Sequence, residues 1–362
     1  MRRLNLEGSK VYLVDNLKAD LESLLENFNA EKIFLLTDES SYKYCFPRVS
    51  HINKISVDRT IIIKSGDNNK NIMTAVEVWK ALSSKGADRK SILINLGGGM
   101  PTDLGGFAAS TFKRGMKFIN IPTTLLSMVD ASVGGKTGIN FEGFKNEIGV
   151  FNIAHAVLID TSFLDTLDKE NIKSGFAEMI KHTLIYSDES WTQLKSFNLL
   201  NLNLEDLKTL VADSISIKEH FVQADPTEMG IRKALNFGHT IGHAIESFAL
   251  KSGKPLLHGY AVAYGMIAEL YLSGKKLGFD AKQIDKISHT ISQIYGAYMI
   301  DEKHDETLYE LTLHDKKNEG GRINFTLLEA PGKVKIDVDC SKDDIKAALA
   351  YFRQHQSKLV NS

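Results

Sequence analysis

The feature that most constrains this fold is a change of sequence period near residue 160. Before it, short apolar or β-branched runs at 32–36 (KIFLL), 60–64 (TIIIK), 91–96 (SILINL), 117–121 (KFINI) and 156–159 (AVLI) alternate with helix-period stretches such as 71–85 and 104–112. Such alternation predicts a parallel sheet covered by helices. Beyond it the helical period dominates, at 169–186, 204–224, 236–250 and 257–277, with one strand-like piece at 322–328 and a helical tail from Lys342. A chain of 362 residues also exceeds what one core usually supports. We therefore expect a Rossmann-like α/β domain over 1–160 and a mostly α-helical domain over 161–362, with a site in the cleft between them.

Composition removes several classes of function. With 44 Lys and Arg against 45 Asp and Glu, the net charge of -1 offers nothing to nucleic acid or to an anionic membrane surface. No apolar run approaches the ~20 residues that span a bilayer. The start, MRRLNLEGSKVYLVDN, lacks the apolar core of a secretory signal. Cys45 and Cys340 stand far apart without metal-ligand spacing, which predicts a reducing, cytoplasmic setting.

The chemistry concentrates in three places. In LNFGHTIGHAIE, His239 and His243 are four residues apart on one helix face, and His258 follows in LLHG. Three histidines so close, in a chain with eleven, suit a divalent metal held by nitrogen ligands. Glu178 falls within an apolar helical patch (GFAEMI), as a structural ion-pair member or a further ligand, and Lys181 follows one turn later. A second place is the strand at 91–96, which runs into Gly97, Gly98 and Gly99, then Asp103 and a helix. Bare N–H groups and a helix dipole there favour phosphate oxygens, although a tight structural turn reads equally well. Asp38, ending the strand before it, can take a ribose hydroxyl, and Asp67 and Lys70 follow the next strand; singly, each reads as a plain loop residue. The third is a glycine-dense stretch carrying Thr123, Thr124, Asp130, Lys136, Lys145 and Asn146, with Arg114 before it and Arg232 seven residues before His239. Most basic residues are solvated surface charges. These lie beside glycine, threonine and apolar positions, where a charge needs a partner.

Together these segments resemble the 3-dehydroquinate synthases, a family of sugar-phosphate cyclases. The resemblance runs from GGGMPTDLGGFAASTFKRG through IPTTLLSMVDASVGGKTGIN, FKNEIG, GFAEMIK and IRKALNFGHTIGHAIE to LLHG and LHDKKNEGGRI, covering nearly the whole chain. It implies a homodimer, each chain pairing an NAD-binding α/β domain with a helical metal domain. It implies conversion of 3-deoxy-D-arabino-heptulosonate 7-phosphate to 3-dehydroquinate and phosphate, in the shikimate pathway. Zinc, with cobalt as the alternative ion, would be held by Glu178, His239 and His258. Spacing alone favours His239 with His243; the resemblance makes His243 a substrate or phosphate contact. NAD would fall to Asp38, Asp67, Lys70, Gly98, Gly99, Asp103, Thr123, Thr124, Asp130, Lys136, Lys145 and Thr166. Substrate roles would fall to Lys136, Asn146, Lys181, Lys218, Arg232 and Asn236, and to one of Lys316 and Lys317. Arg114 would reach into the neighbouring subunit's site.

The chain also departs from the family. Tyr260 stands where many members carry glutamate, Phe144 replaces a common glycine, Asn152-Ile153-Ala154 replaces a common Gln-Pro, and Asp168 replaces a proline. None removes a proposed ligand. The rivals are another sugar-phosphate cyclase and a metal- and NAD-dependent polyol dehydrogenase. Cyclases with inosose or valiolone-type products usually differ at Asn236 and His243, both retained here, and a dehydrogenase has no use for Lys136, Asn146 and Arg232.

Overall fold

The computed structural model describes residues 2–3, 10–142, 144–199, 203–313 and 323–360. The chain divides into two compact units: Met1–Asp168 with Asn203–Glu219, and Lys169–Leu202 with His220–Ser362.

In the first unit the strands are β1 (Arg2–Arg3), β2 (Val11–Leu13), β3 (Ile33–Asp38), β4 (Thr60–Ile63), β5 (Ile92–Gly97), β6 (Lys117–Pro122), β7 (Lys136–Phe141), β8 (Phe144–Phe151) and β9 (Ala156–Ile159). Its helices are α1 (Leu17–Leu25), α2 (Glu39–Tyr44), α3 (Ile72–Ser84), α4 (Gly99–Thr111) and, from later in the chain, the helical residues 204–219. Seven strands form one sheet in the order β1-β2-β9-β6-β5-β3-β4, parallel throughout except for β1. β3 and β5 are buried along their whole length, as strands covered on both faces must be. That requirement explains the continuous apolar runs IFLL and ILINL.

The order of strands fixes where a ligand can enter. From β3 the chain crosses to β4 on one side, then returns to β5 on the other side and continues outward to β6 and β9. The carboxyl ends of β3 and β5 thus flank a topological switch point, where helices leave in opposite directions and open a crevice. Asp38 ends one of these strands and Gly97 the other. α4 begins at Gly99, five residues before the helix expected from sequence, because the glycine run is its first turn. The stretch read only as cationic and glycine-rich folds as the β7–β8 hairpin.

The second unit comprises α5 (Lys169–Tyr186), α6 (Asp188–Lys195), the end of α7 (Leu204–Ala224), α8 (His239–Lys251), α9 (His258–Leu277), α10 (Ala281–Tyr295), α11 (Asp305–Leu313), α12 (Lys342–Val360) and the hairpin β10 (Asn324–Ala330) with β11 (Lys333–Asp339). α9 is its axis: it packs on α5, α8, α10, α12 and β10, and Ala261, Val262, Met266, Ile267 and Leu270 are inaccessible to solvent. A helix apolar on every side belongs in a core.

α8 and α9 meet backbone to backbone. A Cβ on Gly265 would lie 2.1 Å from the Gly238 carbonyl oxygen and 2.6 Å from the Gly242 nitrogen. No side chain can yield there, because the obstructing atoms are main chain. Gly265→Ala should force the helices apart at a cost of about 1–3 kcal/mol, lowering Tm by roughly 3–10 °C in a thermal melt. An unchanged Tm would mean the two helices do not pack this closely.

Candidate metal centre and nucleotide rim

The second unit places one carboxylate against two imidazoles. Glu178, on α5, is inaccessible to solvent, and an ionised carboxylate there needs cationic partners. Its Oε2 is paired with the buried ammonium of Lys181. Its Oε1 lies 3.6 Å from His239 Nε2 and 3.4 Å from His258 Nε2. These separations are long for hydrogen bonds. They match the edge of a zinc tetrahedron: ligand atoms about 2.0–2.2 Å from the ion sit about 3.3–3.5 Å from one another.

The tautomers agree with that geometry. His239 Nδ1 donates to the Phe237 carbonyl at 3.1 Å, and His258 Nδ1 to Glu246 Oε2 at 3.2 Å. Both acceptors fix a proton on Nδ1 and leave Nε2 aimed at Glu178, the orientation that metal-binding imidazoles use. Burial depresses the basicity of His258, but Glu246 and Glu178 outweigh it and push its pKa up to about 10. The pocket thus holds positive charge strongly, and a divalent cation binding there would displace that proton.

His243 belongs to the same cluster. Its ring centroid is 5.2 Å from that of His239 and 5.8 Å from that of His258, and one nitrogen from each of the three lies within 4.8 Å of the others. Around these histidines two donor sets are available: three imidazoles, or Glu178 with His239 and His258. Only the second engages the buried Glu178 carboxylate.

Behind His258 the structure adds a group that the sequence did not single out. Glu246 supplies the carboxylate behind His258, so the substitution at Tyr260 leaves that imidazole supported; the Tyr260 ring stacks edge-on against Tyr295 instead. The legible signal was the end of GHAIE, one helical turn after His243. Arg232, 1% exposed, donates to the Pro226 carbonyl at 2.6 Å on a loop organised by Asp225. The Asp225 carboxylate accepts from the backbone of Met229, Gly230 and Arg232. Asn236 donates to Glu228 Oε1 at 3.1 Å.

In the first unit the expected nucleotide residues gather at the carboxyl ends of the strands. Gly98 precedes α4 and provides no side-chain cap, so the first-turn amides stay open to an anion. A Cβ on Gly98 would sit 3.1 Å from the Thr124 methyl, which keeps this approach narrow. Thr123 donates its backbone N–H to the Gly97 carbonyl at 2.9 Å. Asp38 caps α2 through Ser41 N at 2.7 Å, so one of its oxygens is already engaged. Lys70, 4% exposed, is held by Asp103 Oδ2 at 2.5 Å and by the Asn146 side chain. Burial raises the Asp103 pKa, and Lys70 opposes the rise. Asn146 takes a left-handed backbone (φ 52°), with its N–H on Asn140 Oδ1 at 2.9 Å. Lys218 Nζ donates to Asp130 Oδ1 at 2.6 Å, and Lys145 pairs with Asp67 at 3.3 Å.

Lys136 and Thr166 are exposed, at the start of β7 and beyond β9. Arg114 is not brought to this rim. It is exposed on a turn before β6, at the opposite end of the sheet, with Lys113 and Arg114 both left-handed (φ 47° and 66°). A cavity of about 510 Å³ lined by Phe28, Lys32, Lys117 and His155 opens at that far end, away from the residues described. Lys316 and Lys317 lie outside the described residues.

Replacing Glu246 with glutamine keeps the shape and removes the charge behind His258. In competition against a chromophoric chelator, Glu246→Gln should bind zinc about tenfold to a hundredfold more weakly than the parent. Equal affinity would show that Glu246 does not support the centre.

Comparison with known proteins identifies the family. The family model for the 3-dehydroquinate synthase N-terminal region matches residues 60–174, and that for the C-terminal region matches 175–318. A 3-dehydroquinate synthase from Parabacteroides distasonis is 48% identical over 349 residues, spanning 96% of this chain and 99% of that one. One from Leptospira interrogans is 37% identical over 342 residues, spanning 94% of each. Among solved structures, a 2-epi-5-epi-valiolone synthase from Streptomyces hygroscopicus, with NAD+ and Zn2+ bound, superposes with a TM-score of 0.84 over 98% of this chain and 99% of that one; at 23% identity it attests the fold alone. With both family models matched in order and a relative this similar over nearly its full length, the chain belongs to the 3-dehydroquinate synthase family.

Proposed function

We propose that this chain converts 3-deoxy-D-arabino-heptulosonate 7-phosphate to 3-dehydroquinate and phosphate, a step of the shikimate pathway toward aromatic amino acids. The observation that carries the reading is the convergence of Glu178 Oε1 on the Nε2 atoms of His239 and His258, inside a chain of this family. In this reading those three residues hold a divalent ion, zinc or cobalt, and the first unit holds NAD. The ion supplies Lewis acidity toward substrate hydroxyls, and NAD supplies a hydride acceptor that is regenerated within the cycle.

The chain's own residues bind and orient. NAD is assigned to Asp38, Asp67, Lys70, Gly98, Gly99, Asp103, Thr123, Thr124, Asp130, Lys136, Lys145 and Thr166. The switch-point crevice and the uncapped start of α4 support that assignment, because pyrophosphate oxygens are met there by backbone donors. The substrate is a dianion or more, with a carboxylate at one end and a phosphate at the other. Lys136, Asn146, Lys181, Lys218, Arg232 and Asn236 supply the complementary cations and amides, and orienting both ends removes much of the entropic barrier to ring closure. His243 is assigned the movement of protons, being the residue type that exchanges them near neutrality. Asn236 and His243 favour the dehydroquinate product over inosose or valiolone-type products.

The same reading makes the active form a cytoplasmic homodimer. Arg114 supports it, held outward on a left-handed turn at the far end of the sheet, where a neighbouring subunit's site could receive it. No helix among the described residues is long and apolar enough to cross a membrane.

The test is turnover of 3-deoxy-D-arabino-heptulosonate 7-phosphate with NAD and zinc, following phosphate and dehydroquinate together. Equal amounts of both, abolished by a chelator and restored by added zinc, are the expected result. No turnover by protein shown to carry the metal would overturn the substrate assignment, and sedoheptulose 7-phosphate would be tried next.

A further inference from the structure

Glu269 lies midway along α9, inaccessible to solvent, with its carboxylate turned to the neighbouring helix rather than to the metal ligands. Its Oε2 accepts from the Gly238 N–H at 2.6 Å and its Oε1 from the Ile241 N–H at 3.0 Å. Both donors sit at the entry to α8, whose first residue is His239.

A helix start leaves several N–H groups without intrahelical partners, and Ser, Thr, Asp or Asn at the N-cap ordinarily satisfies one of them. That solution is closed to α8. Its N-cap is Gly238, in the left-handed region at φ 80° and without a side-chain cap. A Cβ there would lie 2.5 Å from Met266 Cγ and 3.0 Å from the Val262 carbonyl, both on α9. The close packing that forbids a local cap also brings Glu269 within reach to serve as one. Its charge is well placed too, since a carboxylate at a helix N-terminus faces the positive end of the dipole.

One helix therefore provides two things. α9 begins with His258, and about three turns later it grips the first turn of α8, which begins with His239. We propose that Glu269 is a positioning residue for the metal centre: by pinning the start of α8 to α9, it fixes His239 relative to His258. The proposal rests on the assignment of Glu178, His239 and His258 as metal ligands. It predicts that the spacing of the two imidazoles is set before any metal arrives.

The test uses Glu269→Gln, which keeps the volume and one acceptor but turns an amide N–H toward a backbone donor. Ser273→Ala, one turn along the same helix, is the control, because Ser273 Oγ bridges Glu269 O and Leu328 N and leaves the Glu269 carboxylate's bonds to Gly238 and Ile241 in place. Zinc affinity is measured by chelator competition, and ligand geometry by the visible spectrum of the cobalt-loaded protein. We expect Glu269→Gln to bind zinc at least tenfold more weakly and to change the cobalt bands, while Ser273→Ala lowers Tm with parental affinity and spectrum. Parental affinity and bands in Glu269→Gln, whatever its Tm, would overturn the proposal and leave the ligand assignment standing. A parent protein that binds neither ion would overturn both.

Should Glu269→Gln fail to fold, hydrogen exchange on the metal-free parent decides. The Gly238 and Ile241 amides should be protected like the middle of α9. Exchange at the rate of open loop amides would refute a preset helix start.

Discussion

The second unit is organised by the burial of one charge. An ionised carboxylate withdrawn from water costs several kcal/mol unless cations and donors replace its hydration. Glu178 meets that demand with Lys181 on one oxygen and two imidazoles near the other. Everything behind those imidazoles follows from keeping them aimed. Phe237 O and Glu246 fix their protons, the Gly259 N–H is tied to Ser174 Oγ on α5 at 3.1 Å, and α8 meets α9 backbone to backbone where Gly265 faces Gly238 and Gly242. A Cβ on Gly259 would come within 1.9 Å of the Ser174 carbonyl, so the residue following His258 has to be glycine for α9 to begin this close to Glu178.

The first unit shows the same economy with different chemistry. Lys70 is almost buried and is shared by a carboxylate and an amide, Asp103 and Asn146. A non-glycine residue held in left-handed backbone stores strain, and such strain persists where surrounding contacts over-determine it. At Asn146 two contacts do so: its N–H on Asn140 and its side chain on Lys70. The hairpin that carries Asn146 thereby reaches the rim where β3 and β5 end.

Much of this was legible in the sequence, and the limits have physical causes. The buried parallel strands announced themselves as apolar runs, and 169–186, 204–224, 257–277 and the tail from Lys342 matched the observed helices closely, because a 3.6-residue period survives any tertiary context. The β7–β8 hairpin was missed because β8 is exposed along both faces and shows no apolar alternation. β11 was missed although it does alternate, KVKIDVD, because its apolar face is only half-buried and its residues are largely charged. The late strand was expected at 322–328 and runs over Asn324–Ala330. Spacing within α8 suggested His239 with His243, since periodicity reports only neighbours on one helix. Glu178 stood out in the sequence as a carboxylate in an apolar helical patch, an ion-pair member or a ligand, but its partners, His239 at 61 positions' remove among them, are set by helix packing that periodicity does not report. Glu269 has the same character. A carboxylate that supports another helix leaves no local pattern beyond its own burial.

The proposed metal centre stands on the identity of three ligand atoms. Crystals of the zinc-loaded protein, with diffraction recorded on both sides of the zinc absorption edge, would locate the ion directly. A single anomalous peak bonded to Glu178, His239 Nε2 and His258 Nε2 at about 2.0–2.2 Å is the result predicted. A peak held by His239, His243 and His258 with Glu178 outside coordination distance would contradict it.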